Sequence, residues 1–316
     1  MPGLLQRRLI FVTGKGGVGK STVATALGLL AARRGLRTIV AELASQDRIR
    51  QSFEHDGDTF EEVRLANRLY TISIDPQYAM EEYLKVKTGT VGQALGSSRL
   101  FGAFAMATPG MRELLSVGKA WELAQTERRT SGADAYDLVI VDSPAAGHGI
   151  GILRTPRTFA EIARVGPIAH QGARIAATIA DHDFTAVVAV ATAEEMPVNE
   201  TLWLRDQLVA DELRLDAVIV NARYPDRFTA AESEQLAAAR DHATSPLAAA
   251  ALGAALSERA RAVGQAEQLR RLHAGLGMPL IELPYLFAEQ IGRRQLELLA
   301  DALEAGLSEP APQLNR

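Results

Sequence analysis

Residues 14 to 21 read Gly-Lys-Gly-Gly-Val-Gly-Lys-Ser. Glycines at this density let a backbone curl until successive N–H groups, those of Gly14, Gly16, Gly17, Val18 and Gly19, point into one small volume. The helix-forming run that follows, "VATALGLLAARR", brings the positive end of its dipole to the same place, so the loop is suited to oxyanions. Lys20 adds a point charge of the kind that meets β- and γ-phosphates. The Ser21 hydroxyl is placed to ligate Mg²⁺, and Thr22 stands beside it at the helix start. The G-x-x-x-x-G-K-[ST] pattern here has the context that gives it meaning, an apolar strand before it and a helix after it.

A metal-bound phosphate needs a carboxylate from a neighbouring strand. "YDLVIVDSPAAGHG" offers one: four apolar residues end in Asp142, whose carboxylate can hold Mg²⁺ through water. Gly147 follows in a loop that can offer its N–H to a γ-phosphate. Alone, an acid after a strand reads as a turn residue. Paired with the phosphate loop, Asp142 reads as part of the metal site.

Lys15 is not accounted for by phosphate binding in this way. A lysine at that point marks the deviant Walker A motif, and on it the chain resembles the ArsA/Get3 family of P-loop ATPases, relatives of the MinD and ParA positioning ATPases. Further stretches are similar in order along the chain: "DSPAAGHGIGILRTP" to the family's switch II, with Gly147, His148, Leu153 and Arg154; "ATPGMRELLSVGKAWEL"; "EEMPVNETLWLRDQL"; "VIVNAR"; and "IELPYLFAEQIG". The resemblance implies an ATPase that binds ATP or ADP with Mg²⁺ and works as a dimer. Lys15 would reach across the dimer to phosphate on the partner, a cation supplied in trans to charge developing during phosphoryl transfer. Asn221 would read the adenine edge, and Pro284 would lie in the loop closing over the base.

Two departures from the family pattern carry weight. Its first switch has an aspartate that positions the attacking water; "VAELASQD" places Glu42 there, with Asp47 as the second candidate. One added methylene moves a carboxylate by about 1 Å, enough to slow chemistry by around a hundredfold unless compensated. Slow turnover is therefore expected. The chain also contains no cysteine, which removes thiolate metalloid or zinc sites and disulfides. His55, His170, His182, His242 and His273 are scattered and read as ordinary surface or core residues, whereas His148 sits in switch II.

In the family, nucleotide-driven closure aligns a helical region around an apolar client. The matching stretch supplies Met80, Leu84, Val91, Leu95, Leu100, Phe101, Phe104, Met106, Met111, Leu114 and Leu115. A hydrophobic protein client, including a tail-anchored membrane helix, fits this set. The partner subunit is either a second copy or a paralogue. The alternatives are a positioning ATPase of the MinD or ParA kind and a nucleotide-gated scaffold with little turnover.

The elements that must carry these residues are legible in outline. Short apolar runs at Leu9 to Thr13, Thr38 to Glu42, Tyr70 to Asp75, Leu138 to Asp142, Ala186 to Ala191, Ala217 to Asn221 and Leu280 to Leu283 alternate with helical patterns. Their unbroken apolar character suits strands covered on both faces, so the expected fold is α/β, a doubly wound, mostly parallel sheet of about seven strands. One domain spans 1–316. A helical subdomain is expected at about 76–130, with a second contribution from about 153–182. Residues 230–276 read as a helix pair packed on the sheet, and about 306–316 as a disordered tail.

Composition narrows the class further. Hydrophobic residues make up 47% of the chain and aromatic residues 5%, which fits a sizeable aliphatic core. The 34 basic residues are outnumbered by 38 acidic ones, for a net charge of −4. That balance gives no attraction to a polyanion, so nucleic acid is not an expected partner. Nowhere is there an apolar run of membrane-spanning length, and no leader-like segment opens the chain, so a cytoplasmic protein is expected, with membrane contact at most peripheral.

Overall fold

The computed structural model describes residues 3–43, 48–53, 60–85, 108–129, 132–163 and 166–308. Eight strands form one sheet: β1 (Leu9–Thr13), β2 (Thr38–Glu42), β3 (Val63–Ala66), β4 (Leu69–Ser73), β5 (Leu138–Asp142), β6 (Thr185–Thr192), β7 (Ala217–Arg223) and β8 (Leu280–Pro284). Their spatial order is β3-β4-β2-β5-β1-β6-β7-β8. All neighbours are parallel except β3 with β4. The runs read from sequence form the parallel strands because residues such as Leu9, Ile10, Phe11 and Val12 are buried on both faces, as a sheet sandwiched between helices requires.

The sheet exceeds the expected seven by one edge strand. β3 turns back on β4 through Asn67 and Arg68, and Arg68 takes a left-handed backbone, φ 59°. Its half-exposed pattern gives no continuous apolar run to detect, which is normal for a short edge strand.

Helices cover both faces. α1 (Lys20–Arg33) and the last helix, here α10 (Arg293–Ser308), bury the side carrying Ile10, Val12, Val40 and Ile140. The other side carries Leu9, Phe11, Ile39 and Val141. It is covered by α4 (Met111–Leu123), α5 (Ala146–Ala163), α6 (Pro167–Ala180) and α7 (Glu195–Ala210). A short α2 (Arg48–Ser52) follows β2, and helical residues 76–85, α3, follow β4.

Within the region expected to form the helical subdomain, α3, α4 and α6 enclose a cavity of about 130 Å³. Residues 86–107, with Val91, Leu95, Leu100, Phe101, Phe104 and Met106, lie outside the described residues. A buried ion network fastens α4: Lys119 Nζ lies 3.0 Å from Glu122 Oε2 and 2.8 Å from Glu82 Oε2, while Arg128 bridges Glu122 at 3.0 Å and Glu62 at 2.6 Å. Burial disfavours the Glu122 anion, yet the charge of Lys119, the Arg129 N–H and the charge of Arg128 outweigh it and hold its pKa below the ordinary 4.5.

Two expectations need correction. α8 (Ala230–Asp241) and α9 (Pro246–Leu276) do not pack along the sheet as a pair. α8 buries no residue and α9 only Ala262, Gln265 and Leu272. Their sequence is rich in small and charged side chains and has little large apolar surface to bury. Local signals hold the helices instead, including a capping box between Thr229 and Glu232. At the C-terminus, α10 continues through Ser308 with Leu307 buried, so residues 306–308 are helical and only 309–316 fall outside the description.

Candidate functional site

The C-terminal ends of β1, β2, β5 and β7 converge on the loop 14–19. Two glycines there are fixed by close approach. Gly14 has φ 146°, and a Cβ on it would lie 2.1 Å from the Val190 carbonyl oxygen; Gly19 has φ 92°, and a Cβ would lie 2.3 Å from Asn221 Nδ2. At Gly14 a side chain would have to displace the backbone of β6, and at Gly19 the positive φ favours glycine while a Cβ would push the Asn221 amide aside. The start of α5 is tied to the same loop, since the Ala146 N–H donates to the Gly14 carbonyl at 3.0 Å.

Beside the loop opens a cleft of about 520 Å³, lined by Gly17, Lys20, Ser21, Thr22, Glu42 and Asp142 among others. Lys20 Nζ donates to the Lys15 carbonyl at 3.0 Å, and the Ser21 hydroxyl donates to Asp142 Oδ2 at 2.5 Å. Thr25 donates to the Ser21 carbonyl at 2.6 Å and steadies the first turn of α1. The sequence placed Ser21 and Asp142 in one metal site, and the fold brings them into direct contact across 121 residues.

Glu42 and Asp142 stand opposite one another on adjacent strands, about 4.8 Å apart in the sheet direction. Both are buried in the wall of the cleft. Two carboxylates so close in a low-dielectric pocket favour a cation there. Among the described residues no group of three or more His, Cys, Asp or Glu side chains could hold a metal. The oxygen donors of Ser21 and Asp142 instead fit Mg²⁺ held jointly with waters and substrate phosphates. Glu42 Oε2 also accepts the Ile49 N–H at 3.4 Å. Asp47 lies outside the described residues, as does the side chain of His148.

Other expected residues sit around the cleft rather than in its lining. Gly147 is exposed in the first turn of α5, so it belongs to a helix start and not to the loop expected for it. Val18 is buried beneath the phosphate loop. Asn221 donates from Nδ2 to the Val18 carbonyl at 3.0 Å and so braces the loop. Pro284 ends β8, and the Tyr285 N–H that follows donates to the Arg223 carbonyl at 2.8 Å. Lys15 forms an ion pair with Glu200 of α7. Arg154 of α5 is paired with Asp211 and donates to Gln207 Oε1 at 3.0 Å, which fastens α5 to the same helix.

Several residues of this neighbourhood have no local signal in the sequence. Gln265 of α9 is buried and clamps the end of β7: its Oε1 accepts the Tyr224 N–H at 2.8 Å, and its Nε2 donates to the Ala222 carbonyl at 3.0 Å. Tyr224 stacks on Tyr285 with centroids 4.4 Å apart, and Phe287 meets Tyr285 edge-on at 4.9 Å. Arg261 lies over Tyr224. A glutamine within a charged helix and an aromatic after a strand are both common, and only docking of α9 gives them meaning.

Comparison with known proteins agrees with this geometry. A family model described as anion-transporting ATPase matches residues 7–166 and 162–245. The chain is 32% identical over 243 residues to the ATPase BagA of Mycobacterium tuberculosis, covering 72% of this chain and 70% of that one. It is 27% identical over 250 residues to the ATPase GET3 of Kluyveromyces lactis, covering 68% and 71%. An arsenical pump-driving ATPase of Escherichia coli is 25% identical over 237 residues, which cover 68% of this chain and 39% of that protein. Among the described residues no helix is long and apolar enough to cross a membrane.

Proposed function

The chain belongs to the anion-transporting ATPase family, that of ArsA and Get3, and from that premise we propose that it binds ATP with Mg²⁺ and hydrolyses it slowly as a dimer. The observation that carries this reading is the 2.5 Å contact between Ser21 and Asp142 beneath the glycine loop. A hydroxyl and a carboxylate side by side are what a phosphate-bound cation needs, and the pair supports the reading on that ground.

In this reading the N–H groups of 14–19 and the Lys20 ammonium hold the phosphates. Mg²⁺, when bound, would supply positive charge against the transferring phosphate. Ser21 and Asp142 would hold it, Asp142 through water. Glu42 orients the water that attacks the γ-phosphorus, and Lys15 of each subunit reaches the other's phosphates. Asn221 and the loop after Pro284 recognise adenine. Loss of the γ-phosphate is felt at Gly147 and passes along α5 to the helices behind it.

The helical region is the proposed client surface. Met80, Leu84, Met111, Leu114 and Leu115 line the cavity between α3, α4 and α6, an apolar and adaptable set suited to a hydrophobic protein segment such as a tail-anchored helix. The partner subunit is a second copy or a paralogue. Glu42, in place of the family aspartate, favours one second reading, a nucleotide-gated scaffold with little turnover.

The test is ATP hydrolysis per subunit as a function of protein concentration, with mass measured with and without ATP. The proposal expects a rate that rises as ATP-bound dimers form. Dimers that bind ATP but do not turn over support the scaffold, and a concentration-independent monomer rate overturns the dimer mechanism.

A further inference from the structure

The row of side chains at the end of the sheet continues one strand beyond Glu42. Ser73 closes β4 and stands opposite Glu42 in parallel register, just as Glu42 stands opposite Asp142. Residues so paired project from the same face, and alternation along β4 puts Ser73 on the side of Leu69, the α1 side, while Ile72 faces the other core. Ser73 is 2% exposed, and its hydroxyl has no hydrogen-bond partner among the described residues.

Buried hydroxyls are nearly always paired, and an exception at a functional site calls for an explanation. A second such hydroxyl, that of Thr13, is directed elsewhere. It abuts switch II, where a Cβ on Gly149 would lie 2.4 Å from it, and β1 places it on the opposite face from Val12. Ser73 alone of the two shares the face of Glu42.

We propose that Ser73 is a positioning residue for hydrolysis: with nucleotide in the cleft, its hydroxyl donates to the Glu42 carboxylate and holds it toward the attacking water. A glutamate has one more rotatable bond than an aspartate, and its terminal torsion is broad. The Ile49 N–H donates to this carboxylate at 3.4 Å. A donor on the facing rung adds a constraint at a position set by the sheet register. It compensates for the added methylene without shifting the backbone. This inference rests on the reading of Glu42 as the water-orienting carboxylate.

The experiment is steady-state hydrolysis by the full chain carrying Ser73→Ala, Ser73→Thr, Glu42→Gln, or Ser73→Ala with Glu42→Gln, with KM for ATP and thermal midpoint recorded for each. Ser73→Ala is expected to lower kcat about tenfold to a hundredfold, the effect of one hydrogen bond to a charged group, with KM unchanged. Its thermal midpoint should not fall, because the hydroxyl makes no bond among the described residues. Ser73→Thr should restore most of the rate, and Ser73→Ala should cost nothing further once Glu42 is glutamine. An unchanged kcat in Ser73→Ala beside a large loss in Glu42→Gln overturns the role of Ser73 alone. So does a loss that persists in the double variant, or one accompanied by a raised KM and a lowered thermal midpoint. If Glu42→Gln turns over like the wild type, or the wild type does not turn over, the assignment of Glu42 falls and this inference with it.

Discussion

The Lys15 ammonium lies 3.5 Å from Glu200 Oε2 within one chain. Both side chains are partly exposed, so the pair contributes about 0.2–1 kcal/mol, little enough to be exchanged for a phosphate across a dimer interface. If Lys15 acts in trans, Lys15→Ala abolishes turnover and leaves nucleotide affinity within about threefold. Titration with a fluorescent ATP analogue beside the hydrolysis assay checks this, and equal losses in both would place Lys15 in its own subunit's site.

Asp142→Asn keeps the shape of the carboxylate and removes its charge. Because Asp142 would hold the ion through water, the Mg²⁺ needed for half-maximal nucleotide binding should rise by about 10–100-fold. Binding measured in EDTA should barely change. A Mg²⁺ titration at fixed nucleotide distinguishes this from a general loss of the cleft.

Gly14→Ala places a methyl 2.1 Å from the Val190 carbonyl oxygen on a backbone of φ 146°. Two strand ends must separate to admit it, at a cost of about 3 kcal/mol. Gly16→Ala meets nothing within 4 Å and should leave stability unchanged. Thermal melts of the two variants without nucleotide make the comparison.

Glu122 titrates below its ordinary value of 4.5 in the folded chain. The unfolded state therefore takes up its proton first as pH falls, so the stability Glu122 contributes is complete above about pH 4.5 and is lost as pH drops through the lower folded pKa. Urea midpoints between pH 7 and pH 3 should show this acid limb. Glu122→Gln should flatten it and cost about 1–3 kcal/mol at pH 7, since Lys119 and Arg128 would each keep only their more exposed partner, Glu82 and Glu62.

Much of the site was legible because its residues are close in sequence or end strongly apolar runs. The loop from Gly14 to Ser21 needs only its own glycines and the flanking strand and helix. Asp142 is marked by "LVIV" before it. The edge strand Val63–Ala66 was missed because half-exposed strands lack that signature. The pair α8 and α9 was misplaced because helix propensity shows that a helix forms but not what it packs against.

The sequence by itself determined the phosphate loop, the parallel strands and the acid at the end of β5, since each depends on local backbone geometry and burial on both faces. Tertiary structure decided which side chains meet. The order β4-β2-β5-β1 sets Ser73, Glu42 and Asp142 in one row, and docking of α7 and α9 gives Lys15 its counter-ion and Ala222 its clamp. Those neighbours are far apart in the chain. Strand register and helix docking are settled by packing of the whole core, and no short stretch of sequence encodes that.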